Sequence, residues 1–202
     1  MEFKEVGGHT FCPELLGHGV IIDVGCRGFW FANHFIGKQA VYCIDPDPKV
    51  FEGAWADPVN FLHMNVAISD KNGEASYYEN GEATCLQQID PDQSHLFVPC
   101  KTITMDDLYN FIGVNIGTTV DVLKLDCEGA EYIILGETFS PIPKQITVEF
   151  HHHTVPELHR QHYESVKHRL SEHYEIFNDI WEKRHGEMES FWDVLFIRKD
   201  LL

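Results

Sequence analysis

A lysine and a row of carboxylates crowd one strand end of this 202-residue chain: Val120-Asp-Val-Leu-Lys124-Leu-Asp126, then Cys127-Glu128-Gly129-Ala130-Glu131. Buried among apolar neighbours, such charges cost too much unless they are paired or used. Strand alternation puts Val122, Lys124 and Asp126 on one face. Gln145-Ile-Thr-Val-Glu149-Phe-His151 is a second strand with an acid near its end. Carboxylates and a histidine at neighbouring strand ends are groups that take a proton from an acceptor. Asp126, Glu149 and His151 are therefore the candidate bases. Lys124 either neutralises a buried acid, best supplied by the neighbouring strand, or orients a substrate oxygen. Glu128 and Glu131 open the next helix, where acids meet the helix dipole favourably even without chemistry.

The run His151-His152-His153 invites a metal. Consecutive histidines on an extended chain point to opposite sides, so only His151 and His153 can join Glu149 on one side. No metal is assigned. Cys127 lies between two acids with no base fixed beside it, and reads as packing.

A second constellation precedes these. Val-Ile-Ile-Asp-Val-Gly-Cys-Arg-Gly, residues 20–28, is a β-branched apolar run entering a glycine turn. This is the pattern of a buried parallel strand opening a βαβ unit. Gly25 and Gly28 let the backbone turn and approach a ligand closely, which makes Asp23, Gly25, Cys26, Arg27 and Gly28 candidate cofactor contacts. A dinucleotide site wants G-x-G-x-x-G with a pyrophosphate on a helix N-terminus. Here only Gly25-x-x-Gly28 is present, and Asp23 would repel a pyrophosphate. The same carboxylate suits a cationic ligand such as S-adenosylmethionine, which carries a sulfonium and an ammonium and no phosphate. A turn with no ligand is the bland alternative.

These groups need a sheet to hold them. Residues 39–45 read as a second buried strand ending on Asp45, and Pro46-Asp47-Pro48 stops it. An acid about 20 residues beyond the first glycine turn is placed to accept hydrogen bonds from ribose hydroxyls. Residues 61–78 hold a third strand, then Asn72-Gly73 between two strand-like runs, a hairpin signal. Residues 79–96 lack periodicity and read as a lid, a substrate loop or an insertion. Thr104 caps a helix with acids in its first turn. Pro141 and Pro143 separate the Lys124 unit from the Glu149 strand, a long helix is expected over 155–173, and an apolar strand over 192–197 closes the sheet. Strands alternating with helices give an α/β class, a mostly parallel sheet with a C-terminal antiparallel hairpin. Residues 1–19 read as an irregular lead-in covering one edge of the site.

With 44% hydrophobic and 23% charged residues, the chain suits a single domain over 1–202. It carries 32 acidic against 15 basic side chains, a net charge of −17, with no basic run. That argues against nucleic acid and anionic membrane as partners, since both need clustered positive charge. The expected acceptor is small, and neutral or cationic. Six cysteines without a C-x-x-C pair fit a reduced compartment. Without a signal pattern or a membrane-length apolar run, the expectation is a soluble cytoplasmic protein. Oligomeric state is not legible.

Taken together, these motifs resemble the FkbM family of S-adenosylmethionine-dependent methyltransferases. Residues 122–131 are similar to the family's K-I-D-V-E-G-A-E signature. Ile22-Asp-Val-Gly, Ile44-Asp-Pro-Asp-Pro, Asn65-Val-Ala-Ile-Ser-Asp with Asn72-Gly73, and Thr102-Ile-Thr-Met-Asp-Asp-Leu support it in order. The resemblance implies a class I methyltransferase (Rossmann-like) fold, S-adenosyl-L-methionine as cofactor, and O-methyl transfer onto a hydroxyl of a sugar or natural product. It adds Pro46, Asn65, Val66, Ala67 and Asp126 to the cofactor-binding set. Cys26 and Cys127 depart from residues usually small or aliphatic there, and Arg27-Gly28 shortens the commoner turn by one residue. A nicotinamide-dependent oxidoreductase and a catalytically silent adenosyl-binding module are the competing readings.

Overall fold

The computed structural model describes residues 1–52, 60–80, 83–85, 97–114, 118–137, 140–151, 160–177 and 191–202. The chain opens on an antiparallel hairpin, β1 (Lys4–Val6) and β2 (His9–Phe11). Then follow β3 (Val20–Val24), α1 (Trp30–Asn33), β4 (Val41–Ile44), β5 (Phe61–Met64), β6 (Ala67–Ile68), β7 (Gly73–Asn80), β8 (Ala83–Cys85) and β9 (Phe97–Ile103). The rest is α2 (Met105–Ile112), β10 (Val120–Leu125), α3 (Glu131–Ile134), β11 (Gln145–His151), α4 (Arg160–Leu170), β12 (Tyr174–Phe177) and β13 (Phe191–Arg198).

Seven strands form the main sheet in the order β12-β13-β11-β10-β3-β4-β5. β11, β10, β3, β4 and β5 run parallel, while β13 is antiparallel to β11 and β12 antiparallel to β13. The strand order reverses beside β3, so the crevice over its carboxyl end is where an open α/β sheet takes a ligand. β3 and β10 are buried at every position, which explains their near-continuous apolar sequence. Alternate residues serve opposite faces. Ile22 and Leu123 pack with Leu108 of α2, Ile134 of α3 and Tyr163 of α4. Ile21 and Val122 pack on the other side with Phe11 of β2 and Phe31 of α1.

Thr104 caps α2 as its sequence foretold, accepting the Asp107 N–H at 3.2 Å, and Gly113 ends the helix at φ 73°. Two expectations change. The lead-in is not wholly irregular, because Gly7 and Gly8 both take positive φ, 56° and 83°, the requirement of a tight two-residue hairpin turn. Nor does Asn72-Gly73 join paired strands. β6 and β7 are separated by β9, in which Thr102 pairs with Ala67 on one side and Gly73 on the other. The Asn72 side chain instead accepts the Thr104 N–H at 3.0 Å, tying this turn to α2. The loop expected over 79–96 and the start of the helix expected at 155 lie largely outside the described residues. Among those described, no helix is long and apolar enough to cross a membrane.

Candidate active site

A cleft of about 580 Å³ opens at the carboxyl ends of β3, β4 and β10. Its floor is the turn after β3. Gly25 donates its N–H to Ile44 O at 2.9 Å and sits at φ 77°. A side chain there would have its Cβ 1.7 Å from the Asp126 carbonyl, so this glycine lets two strand ends touch. Gly28 also has positive φ, at 76°, and Phe29 follows at 54°. A non-glycine residue in the left-handed region is strained, and such strain concentrates at functional sites.

Lys124 is the hub of the charges beneath the cleft. It occupies the position on β10 directly paired with Asp23 on β3, and its Nζ lies 3.0 Å from Asp23 Oδ1 and 3.4 Å from Asp126 Oδ2. It also donates to Gly25 O. Burial works against its charge, but Asp23 and Asp126 outweigh burial and keep it protonated. Burial likewise opposes the charge on Asp126, yet Lys124, His9 and His151 hold its carboxyl well below the usual range.

Behind Asp126 lies an acid and histidine cluster. Glu131 is fully buried and accepts the N–H of Cys127 at 2.6 Å and of Gly129 at 2.9 Å, so it fixes the turn in which Glu128 takes φ 52°. Its Oε1 also meets His151 Nδ1 at 3.1 Å. His151 Nε2 then faces Glu149 Oε1 at 3.0 Å and lies 3.7 Å from both Asp126 Oδ1 and Glu128 Oε2. Burial disfavours the imidazolium, but hydrogen bonds to Glu131 and Glu149 prevail and raise its pKa well above 6.5. Asp193, opposite Glu149 in the sheet, is pushed up to about 7 by burial and by Glu149 and Asp126.

The ribose-acid position is equally defined. Asp45 directly follows β4, and its Oδ1 accepts the Asp47 N–H at 2.9 Å. Burial raises its pKa to about 6, against the pull of that hydrogen bond and of Arg27. Asn65 does not line the cleft. Its amide donates to the Asp45 and Pro46 carbonyls at 3.0 and 2.8 Å, shaping the wall from behind.

Asp23, Gly25, Cys26, Arg27 and Gly28 all line the cleft, as do Asp45, Pro46, Val66, Ala67, Lys124, Asp126 and Glu149. His151 stands behind Glu149 rather than on the cleft surface. Sequence reasoning passed over three residues here and read a fourth differently. Gly7 and Trp30 reach the cleft, the latter 72% exposed at its rim. Buried His9 comes within 3.6 Å of Asp126, and Glu131 organises the turn instead of merely meeting a helix dipole. The Gly7-Gly8 pair was the available signal for the hairpin that brings His9 in.

A mostly parallel sheet with a glycine turn after one strand, an acid just beyond the next and an antiparallel pair, β13 and β12, at one edge is the architecture of a class I, Rossmann-like methyltransferase. The chain belongs to the methyltransferase FkbM domain family, which matches residues 23–191. It is an S-adenosylmethionine-dependent methyltransferase, and the nicotinamide reading falls away. Among solved structures it is similar to the fibrillarin pre-rRNA processing protein of Methanococcus jannaschii, with 14% identity, TM-score 0.54, and 95% of this chain and 71% of that one covered. It is also similar to methyltransferase FkbM of Methylobacillus flagellatus KT, with 14% identity, TM-score 0.51, and 93% of this chain but 46% of that one covered. Comparison with curated proteins finds no match. The residues present fit the cofactor. The cleft is within the size range of small-molecule sites, and its acids, Asp23, Asp45 and Asp126, suit a cationic nucleoside without phosphate.

Proposed function

We propose that this protein O-methylates a hydroxyl of a small molecule, with Glu149 as the base. The observation that carries the reading is Glu149 on the cleft wall, its Oε1 held 3.0 Å from His151 Nε2. Asp45 is assigned to the ribose hydroxyls, and the backbone of residues 25–28 to the amino-acid end of the cofactor, with Pro46, Val66 and Ala67 on the adenosyl side. When bound, S-adenosylmethionine supplies an electrophilic methyl group, whose bonding pair returns to sulfur as the acceptor oxygen takes the carbon. The chain's own work is alignment of the acceptor and removal of its proton. Asp126 is held too far below the usual carboxylate range to be a strong base, and His151 is held protonated by its acids. Glu149 is left to take the proton. His151 steadies the carboxylate, and Lys124 keeps Asp23 and Asp126 compatible with burial.

A net charge of −17 and the acids at this edge disfavour a phosphate backbone as acceptor. The deciding experiment is mass spectrometry of reactions with a panel of hydroxylated metabolites, their amino analogues and a structured RNA. A mass gain of one methyl on a hydroxyl compound supports the reading; product only from the amines or the RNA overturns it.

A further inference from the structure

Three side chains from separate elements converge beside the cleft: buried His9 from β2, and Asp126, just after β10, and Glu149, from β11, which line it. Each offers a ligand atom within 4.8 Å of the other two. His9 is 1% exposed, and its Nε2 has no hydrogen-bond partner. That nitrogen points at Asp126 Oδ2 from 3.6 Å, beyond hydrogen-bond range. A buried nitrogen that faces one carboxylate as an ion pair, at a distance too long for a hydrogen bond, is a group with an unmet requirement.

We propose that His9, Asp126 and Glu149 form a site for one divalent first-row cation, Mn²⁺ or Zn²⁺ in character. One imidazole and two carboxylates are a donor set of mixed nitrogen and oxygen that suits these ions. Ligand bonds of about 2.1 Å set neighbouring donors roughly 3 to 4 Å apart, so side-chain rotation suffices to close the trio. The supporting contacts are those that ligands usually have. Thr147 Oγ1 lies 3.4 Å from His9 Nδ1, which leaves Nε2 for the ion, and the Phe31 ring packs edge-on against the imidazole with centroids 5.8 Å apart. Glu149 rests one oxygen on His151; its second holds the ion in the resting site and takes the acceptor's proton once the acceptor oxygen has replaced it on the ion. The two resident cations beside the trio have acids of their own: Lys124 has Asp23 at 3.0 Å and His151 has Glu131 at 3.1 Å.

A neighbouring trio, Asp126, Glu128 and His151, has similar spacing. It is the weaker choice, because His151 has carboxylates at both ring nitrogens, Glu131 at 3.1 Å and Glu149 at 3.0 Å. The purpose of the ion rests on the hydroxyl-acceptor reading. Positive charge at this spot stabilises an acceptor oxygen that is losing its proton, and it selects acceptors that present a second oxygen to the ion, such as vicinal diols or hydroxy acids.

Binding itself is read without an acceptor, so it stands or falls apart from that reading. Untagged protein, stripped with a chelator, is titrated with Mn²⁺ while the six-line electron paramagnetic resonance signal of free Mn²⁺ is followed. The expected result is one Mn²⁺ per chain, with affinity lowered tenfold or more in both His9→Gln and Glu149→Gln. Circular dichroism and S-adenosylhomocysteine binding report whether each variant is folded. Should buried His9→Gln fail to fold, Glu149→Gln, at a side chain 21% exposed on the cleft wall, decides alone. No stoichiometric binding by the wild type at 1 mM Mn²⁺, on the order of the weakest calcium modules, overturns the site. Binding that the folded variants leave unchanged overturns it equally.

Discussion

Lys124 Nζ and Asp23 Oδ1 stand 3.0 Å apart at directly paired positions of two parallel strands. The register of β10 against β3 therefore decides whether either charge can be buried. A slip by one residue would send Lys124 to the face occupied by Leu123, into the packing against α2 and α3. The pair thus ties the register of the sheet centre to the chemistry of the cleft above it.

Lys124→Met should destabilise the protein by about 3 to 5 kcal/mol, the cost of leaving a buried partner charge uncompensated. The double variant Lys124→Met with Asp23→Leu should recover part of that loss, since the orphaned carboxylate is gone. Urea denaturation of the two variants and the wild type measures the difference. A double variant no better than the single would mean that the pair is not what makes Lys124 necessary.

Most of the frame was legible because its signals are local. Residues 20–28 announce strand and turn through β-branching and glycine, and Thr104 announces a helix through its cap. Lys124 announced a buried partner on the neighbouring strand, and Asp23 stands there. What escaped were long-range pairings. That β9 slips between β6 and β7 depends on residues far apart in sequence, so Asn72-Gly73 looked like a hairpin when read alone. For His9 the local signal, the adjacent Gly7-Gly8 pair, marks a hairpin turn and not a site. The histidine matters only because the hairpin of residues 4–11 folds back onto β11, where His9 meets Thr147. Glu131 was read through the helix dipole, whereas its two oxygens are taken up by the turn of residues 127–129 and by His151.

Asp45 gives a pH dependence of known sign. Burial raises its pKa from 3.8 to about 6, so between those values the folded protein binds more protons than the unfolded chain. Its contribution to stability is complete below about pH 4 and is lost as pH rises through about 6. Cofactor affinity should run the other way, because the ionised carboxylate accepts ribose hydroxyls better. Calorimetry with S-adenosylhomocysteine at pH 5, 6 and 7 should show binding tighten with pH. Asp45→Ala should flatten that trend and cost about 1.5 to 3 kcal/mol of binding at pH 7, the range for a hydrogen bond to a charged group.

Gly25→Ala tests the closeness of the two strand ends. The new methyl would have to occupy space 1.7 Å from the Asp126 carbonyl at φ 77°, so backbone must move. The expected loss is at least about 2 kcal/mol of stability from the conformation alone, with cofactor binding abolished. A thermal melt within a degree of the wild type, with normal S-adenosylhomocysteine binding, would show that the turn has more freedom than its geometry implies.

Glu149 and Glu131 separate chemistry from support. Glu149 lies on the cleft and has His151 behind it, whereas Glu131 is fully buried and reaches the cleft only through His151 and the turn of residues 127–129. A positioned base contributes about 10² to 10⁴ in rate. Glu149→Gln keeps shape and hydrogen bonding but cannot take a proton, so turnover with an identified acceptor should fall by that factor while cofactor affinity stays near the wild-type value. Glu131→Gln removes a charge that holds two backbone N–H groups and an imidazole, so it should lower stability and weaken cofactor binding along with turnover. His151→Asn should fall between them, because it leaves the Glu149 carboxyl on the cleft but no longer held in place. Steady-state kinetics beside calorimetry tells the three apart. If Glu149→Gln turns over normally with its cofactor affinity intact, the proton leaves by another route, and alignment of the acceptor carries the reaction.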